Sequence, residues 1–184
     1  MSGAISGGIE GYKYAKEQGA NPWTNKVHKK SYTAEVKKGV STQPDPTKHC
    51  YAYSAEYADS GHGNHLASEF ISANGGAEGG DVSILSKVNP NARLIGAQEG
   101  PCDFLFEKID MFGNNIQANV FEVAGTINNG SHWVNVIGIS SLDRLSWFGG
   151  TVSHHNMLKT WNPIVGIVSW LKASDVTNIR VFKY

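Results

Sequence analysis

From Thr47 onward apolar residues recur at helical spacing, with Tyr51, Ala55 and Ala58 on one side and Asp45, Pro46 and Thr47 just upstream as start signals. The pattern predicts a helix with Cys50 in its first turn. A second helix is expected over 64–73, where Leu66, Phe70 and Ile71 form an apolar stripe and the Asn-Gly-Gly after Ala73 stops it. A third is expected over 82–88, ending before Asn89 and Pro90, and the stretch CDFLFEKIDMF from Cys102 is a candidate for a further one. After Gly113 the grammar changes. The segments IQANVFEVAG, HWVNVIGI, TVSHHNMLKTWN and NIRVFKY are rich in β-branched and aromatic residues and read as strands. Helices first and strands second predict an α+β fold.

The chain ahead of this pattern is different in kind. Residues 2–25 are rich in Gly and Ala, and Pro22 near their end drives Asn21 toward an extended conformation, so the segment reads as a junction. Beyond it Lys26, Lys29, Lys30, Lys37 and Lys38 face only Glu35 and Asp45, the composition of a solvated linker. The expected organisation is therefore a Gly-rich junction and basic linker over 1–40 and one catalytic-sized domain over 41–184. The Gly-rich patches at 75–80 and 149–150 read as loops, and no internal repeat is visible.

Composition narrows the partners. With 16 basic and 16 acidic side chains in 184 residues the formal net charge is zero, so no global field draws the protein to nucleic acid or to an anionic membrane. A small-molecule or protein target is expected. Two cysteines, Cys50 and Cys102, are too few for a disulfide framework; reduced thiols are the default, with one bridge between them left open. No apolar run approaches the ~18 residues of a membrane span, and the first residues lack the apolar core of a secretory signal.

The chemistry-bearing residues sit at element ends. A thiolate at a helix start is stabilised by the unpaired N–H groups and the helix dipole, which favours Cys50 as a nucleophile over a buried spacer. Cys102 also follows a proline, but Asp103 beside it opposes a thiolate. Of the seven histidines, His132 opens an apolar strand just after a glycine-containing turn, a rigid support with an open edge that suits a general base. Asn162, ending the next strand ahead of a proline, is positioned to orient that imidazole, and Gln43 on the incoming loop is a candidate to join the Cys50 backbone N–H in binding an oxyanion. His62 and His65, with His154 and His155 farther on, match no recognisable zinc pattern, so no metal or cofactor is called for.

The order of a cysteine at a helix start, then SHWVNVIGI, then WNP resembles papain-like cysteine peptidases, especially the bacterial branch related to bacteriocin-processing leader peptidases. The resemblance implies a papain-like fold, with the nucleophile helix packed on a C-terminal antiparallel sheet. It also implies Gln43 as oxyanion donor, Cys50 as nucleophile, His132 as base and Asn162 as orienter. The chain departs from the family in carrying Tyr51 where tryptophan is usual, and in a slightly longer spacing from Gln43 to Cys50. The N-terminal GAISGGIEGYKYAKEQGANPWTNK is similar to the junction preceding C-terminal toxin domains in Rhs-type polymorphic toxins. Together these imply an interbacterial toxin that hydrolyses a peptide bond in a target-cell protein. It would be a secreted effector without a cleaved signal peptide, delivered to the target cytoplasm and restrained by a cognate immunity protein. Two other readings stand beside it: a peptidoglycan amidase effector in which Asp143 orients His132, and a non-catalytic binding module with Cys50 buried.

Overall fold

The structure is a computed structural model describing residues 20–21, 26–33, 35–99, 123–145 and 151–184. Three helices come first: α1 (Cys50–Asp59), α2 (Ala67–Ala73) and α3 (Ile84–Val88). The strands are β1 (Ala20–Asn21), β2 (Lys26–Thr33), β3 (Arg93–Glu99), β4 (Val123–Asn129), β5 (His132–Leu145), β6 (Thr151–Asn162), β7 (Ile167–Lys172) and β8 (Asn178–Lys183). They form one antiparallel sheet in the order β1-β2-β5-β4-β8-β3, with β6 on the other edge of β5 and β7 beyond it.

Alternation along the strands divides the core in two, because successive side chains leave a strand on opposite faces. Trp133 and Phe182 join Tyr51, Ala52, Ala55, Ala58, Phe70 and Leu85 in a cluster between the helices and the sheet. Their neighbours Val134 and Val181 join Leu158, Ala173, Val176 and Ile179 in a second cluster. The side of α1 that meets the sheet is largely alanine, so the helix axis can approach closely.

Three expectations are corrected. The second helix begins at Ala67 rather than Asn64, since Asn64 lies in the left-handed region (φ 56) and His65 is drawn to Asp59 through both its backbone N–H and Nδ1. Leu66 consequently precedes the helix and is 59% exposed instead of adding to its apolar stripe. The basic linker over 26–33 is strand β2, paired with the far half of β5 from Lys26 opposite Arg144 to Thr33 opposite Gly138. Backbone pairing along a sheet does not require an apolar sequence, so the lysine content concealed the strand. Strands β3 and β7 were also not anticipated. The candidate helix at CDFLFEKIDMF, with Cys102 and Asp103, lies outside the described residues, as does the loop at 149–150.

Candidate active site

Cys50 is the first residue of α1 and is half-buried. The approach to it is built by a polar turn in which Asp45 Oδ1 accepts from the Thr47 N–H (2.9 Å) and hydroxyl (2.7 Å). His49 then adopts a left-handed conformation (φ 62), which breaks the chain direction and lets the helix start one residue later. The first N–H groups of a helix have no acceptor within it, so those of Cys50 and Tyr51 belong to that unpaired set. The Cys50 thiol points toward the Ser131 carbonyl oxygen, 3.8 Å away, and therefore rests against the residue that precedes His132.

His132 is held by a two-residue hairpin between β4 and β5. Gly130 supplies the positive φ (70°) this turn needs, and Asn129 pairs with His132 across it. On the other edge of β5, Asn135 lies opposite Trp161, which carries the end of β6 alongside the start of β5. This register brings Asn162 to His132, with 3.0 Å between Oδ1 and Nε2.

The proton on that bond can be assigned. Asn162 Oδ1 also accepts from the Ile164 N–H at 2.9 Å, and because a backbone N–H only donates, the atom it meets must be the amide oxygen. His132 Nε2 is then the donor toward Asn162, leaving the Nδ1 lone pair of the neutral ring to take a proton from elsewhere. The Cys50 thiol meets the carbonyl of Ser131, one residue before His132.

Gln43 is placed differently from a freely presented amide. It is 3% exposed, and Nε2 donates to the carbonyls of Asp45 (2.6 Å) and Lys48 (2.7 Å), which uses both amide hydrogens, while Oε1 is buried without a protein partner. Its backbone N–H donates to the Pro163 carbonyl at 2.7 Å, so Gln43 ties the loop leading to Cys50 to the turn that follows Asn162. Asp143 is not near His132 in the chain's path. It lies within β5 opposite His154 and Val27, eleven residues on, or roughly 35 Å at the rise of an extended strand.

A Gly-rich loop over 75–80 stands beside the helix start. Ala77 O faces His49 Nδ1 and accepts the Tyr51 hydroxyl (each 3.1 Å), Glu78 O accepts the His49 N–H (2.7 Å), and Gly80 O accepts Trp133 Nε1 (3.0 Å). Lys48 and Glu78 add an ion pair between exposed side chains. At the loop's end Asp81 meets Arg180 at 2.8 Å and takes hydrogen bonds from Ser83; although burial pushes its carboxyl up, these partners hold it below the ordinary range. Burial raises the Tyr51 phenol, which therefore remains a neutral donor to the loop.

Sequence reasoning missed a polar cluster at the other end of α1. Lys37, read as solvated, places Nζ on the carbonyls of Tyr57 (2.9 Å), Ala58 (3.0 Å) and Ser60 (3.1 Å). Glu56 accepts the N–H groups of Ser41 and Ala67, and Asp59 accepts from His65 and from Asn89 Nδ2. His62 stacks on Tyr184 with 4.0 Å between ring centroids. A charged residue three or four places from another at a helix end is a usable sequence signal; Lys37 carried none. Among the described residues no group of three or more His, Cys, Asp or Glu side chains is arranged to hold a metal ion, and no helix is long and apolar enough to cross a membrane.

At the sequence level no family model and no curated protein matches the chain. Among solved structures it is similar to UfSP from C. elegans, with a TM-score of 0.54 and 11% identity over 84% of this chain. UfSP is a papain-like cysteine protease. The fold is papain-like α+β. The matched region is 34% of the UfSP chain, so this protein corresponds to about a third of that structure.

Proposed function

We propose that this protein is a cysteine peptidase in which Cys50, His132 and Asn162 act as nucleophile, base and orienter. The observation that supports the reading is the His132–Asn162 hydrogen bond, which leaves the imidazole Nδ1 lone pair open, together with the Cys50 thiol's contact to Ser131, the residue before His132. His132 takes the Cys50 proton, and the thiolate attacks the scissile carbonyl to form a tetrahedral intermediate. The imidazolium then protonates the leaving amine, and an acyl-enzyme remains. Water, deprotonated by His132, hydrolyses the thioester and restores the thiol. The Cys50 backbone N–H faces the developing oxyanion, and Gln43 joins it once the turn before Cys50 releases one of its two amide hydrogens.

The substrate setting rests on the N-terminal resemblance to toxin junctions. In this reading the domain is a delivered effector that cuts a protein in the target cytoplasm and is blocked by an immunity protein bound over the cleft. Cytoplasmic expression in bacteria should be toxic, and the Cys50→Ala form harmless, with a discrete new protein N-terminus found only for the active form. Toxicity confined to periplasmic expression, with released muropeptides and no new N-termini, overturns the reading in favour of wall hydrolysis. Harmless expression in both compartments, with no Cys50-dependent labelling by electrophilic peptide probes, removes the enzyme altogether.

A further inference from the structure

The nucleophile and the base belong to different elements, one helix and one strand, so some contact must fix how far α1 slides along β5. The apolar contacts between them are poor at this. Ala52, Ala55 and Ala58 present small, smooth surfaces, and hydrophobic burial has no preferred direction. Among the described residues, directional bonds between α1 and β5 are found at one place. Ser54, four residues after Cys50 and so one turn along the same side of the helix, is 0% exposed, and its hydroxyl donates to the Trp133 carbonyl at 2.9 Å. Asn135, two residues beyond Trp133 on β5, returns the bond by donating Nδ2 to the Ser54 carbonyl at 2.9 Å.

These are costly residues for a core. Serine is a weaker helix former than alanine, and asparagine is depleted from strands. The arrangement is also incompletely satisfied, because Asn135 Oδ1 and the hydroxyl oxygen of Thr126, directly opposite on β4, are both buried without a protein partner. An alanine and a valine would avoid both penalties. What the polar pair supplies is a fixed position: one bond lands on the residue after His132, the other on the residue four after Cys50.

We propose that Ser54 and Asn135 are positioning residues that lock the axial register of α1 on β5, setting the approach of the Cys50 thiol to His132. The inference rests on the peptidase reading. A helix rises 1.5 Å per residue, and a displacement of about 1 Å is enough to cost about 10²-fold in rate.

The test compares Cys50 alkylation by iodoacetamide across pH in the full chain, reading the rate at mildly acidic pH relative to alkaline pH, where any thiol reacts. In the wild type, reactivity at acidic pH should depend on His132; if it does not, the peptidase reading fails before the clamp is tested. Given that dependence, Ser54→Ala should lose about 10–100-fold of the acidic-limb rate, with the alkaline rate and circular dichroism retained. Ser54→Thr, which keeps a hydroxyl, should recover most of it. Asn135→Ala, which leaves the Ser54–Trp133 bond in place, should give a smaller loss and serves as the readout if Ser54→Ala does not fold. A wild-type acidic limb in a folded variant that is merely less stable shows that the pair is only structural and overturns the proposal.

Discussion

The two ends of α1 are built on opposite plans. At its C-terminal end the exposed carbonyls are covered by Lys37, and the carboxylates of Glu56 and Asp59 each accept two or more hydrogen bonds from separate segments. At its N-terminal end the thiol makes one long polar contact among the described residues, the first N–H groups have no acceptor within the helix, and the turn before it is left-handed at a non-glycine residue. One end is saturated and the other is open, although both lie beside strands of the same sheet. A buried charge with a full set of partners holds segments together; a reactive group with an incomplete set is available to a substrate.

The comparison predicts which substitutions stop chemistry and which loosen the fold. The largest effects belong to the open end: Cys50→Ala should abolish turnover, and His132→Ala should lower it by about 10²–10⁴, both with wild-type thermal denaturation. Asn162→Ala comes next, with a loss in kcat of about 10–100-fold and little change in KM, because the imidazole remains but its tautomer and orientation are freed. A KM effect alone would instead assign Asn162 to substrate binding.

At the saturated end the same measurements should reverse. Glu56→Ala strips the acceptor from two backbone N–H groups and should destabilise by about 2–4 kcal/mol in denaturant titration, while kcat of the folded fraction stays within about twofold, well inside the 10²–10⁴ range of a lost catalytic group. Loss of kcat without loss of stability would show that the two ends are not separable.

The smallest effect concerns Lys37. Burial pushes its amine down from 10.5 to about 8, against the pull of Asp59. The folded state therefore binds fewer protons than the unfolded chain between those values, and this group's contribution to stability should rise as pH increases from about 8 to 10.5. Subtracting the profile of Lys37→Met from that of the wild type should expose that rise. A flat difference would mean that the three carbonyls hold the ammonium as firmly as water does.

The legible parts of this protein were those whose signal is local. Periodicity located α1, β5 and β6, and punctuation placed Cys50, His132 and Asn162 at element ends. The approach of Asn162 to His132 is a matter of sheet register, which depends on β5 and β6 pairing with Asn135 opposite Trp161 and cannot be read from either strand alone. Lys37 looked solvated because its acceptors are backbone carbonyls twenty and more residues away, which leave no trace in side-chain identity. The Gln43 side chain is ambiguous in sequence for a related reason: an amide suits an oxyanion and a peptide carbonyl equally well, and here it meets two carbonyls. Strand β2 was concealed by its lysines, and β3 and β7 by their short, mixed sequences.

The contact between the Cys50 thiol and the Ser131 carbonyl has a consequence for the sulfur's own motion. It exists only while sulfur carries hydrogen, since a thiolate has nothing to donate and would face the negative end of the carbonyl dipole. Ionisation should therefore turn the side chain about its Cα–Cβ bond, away from the Ser131 carbonyl oxygen. The resting rotamer thus acts as a parking position coupled to charge. Raman spectroscopy of the S–H stretch should find it at the lower frequency of a donating thiol, and Ser131→Pro, which spares the carbonyl but reshapes the turn, should move it toward the free value.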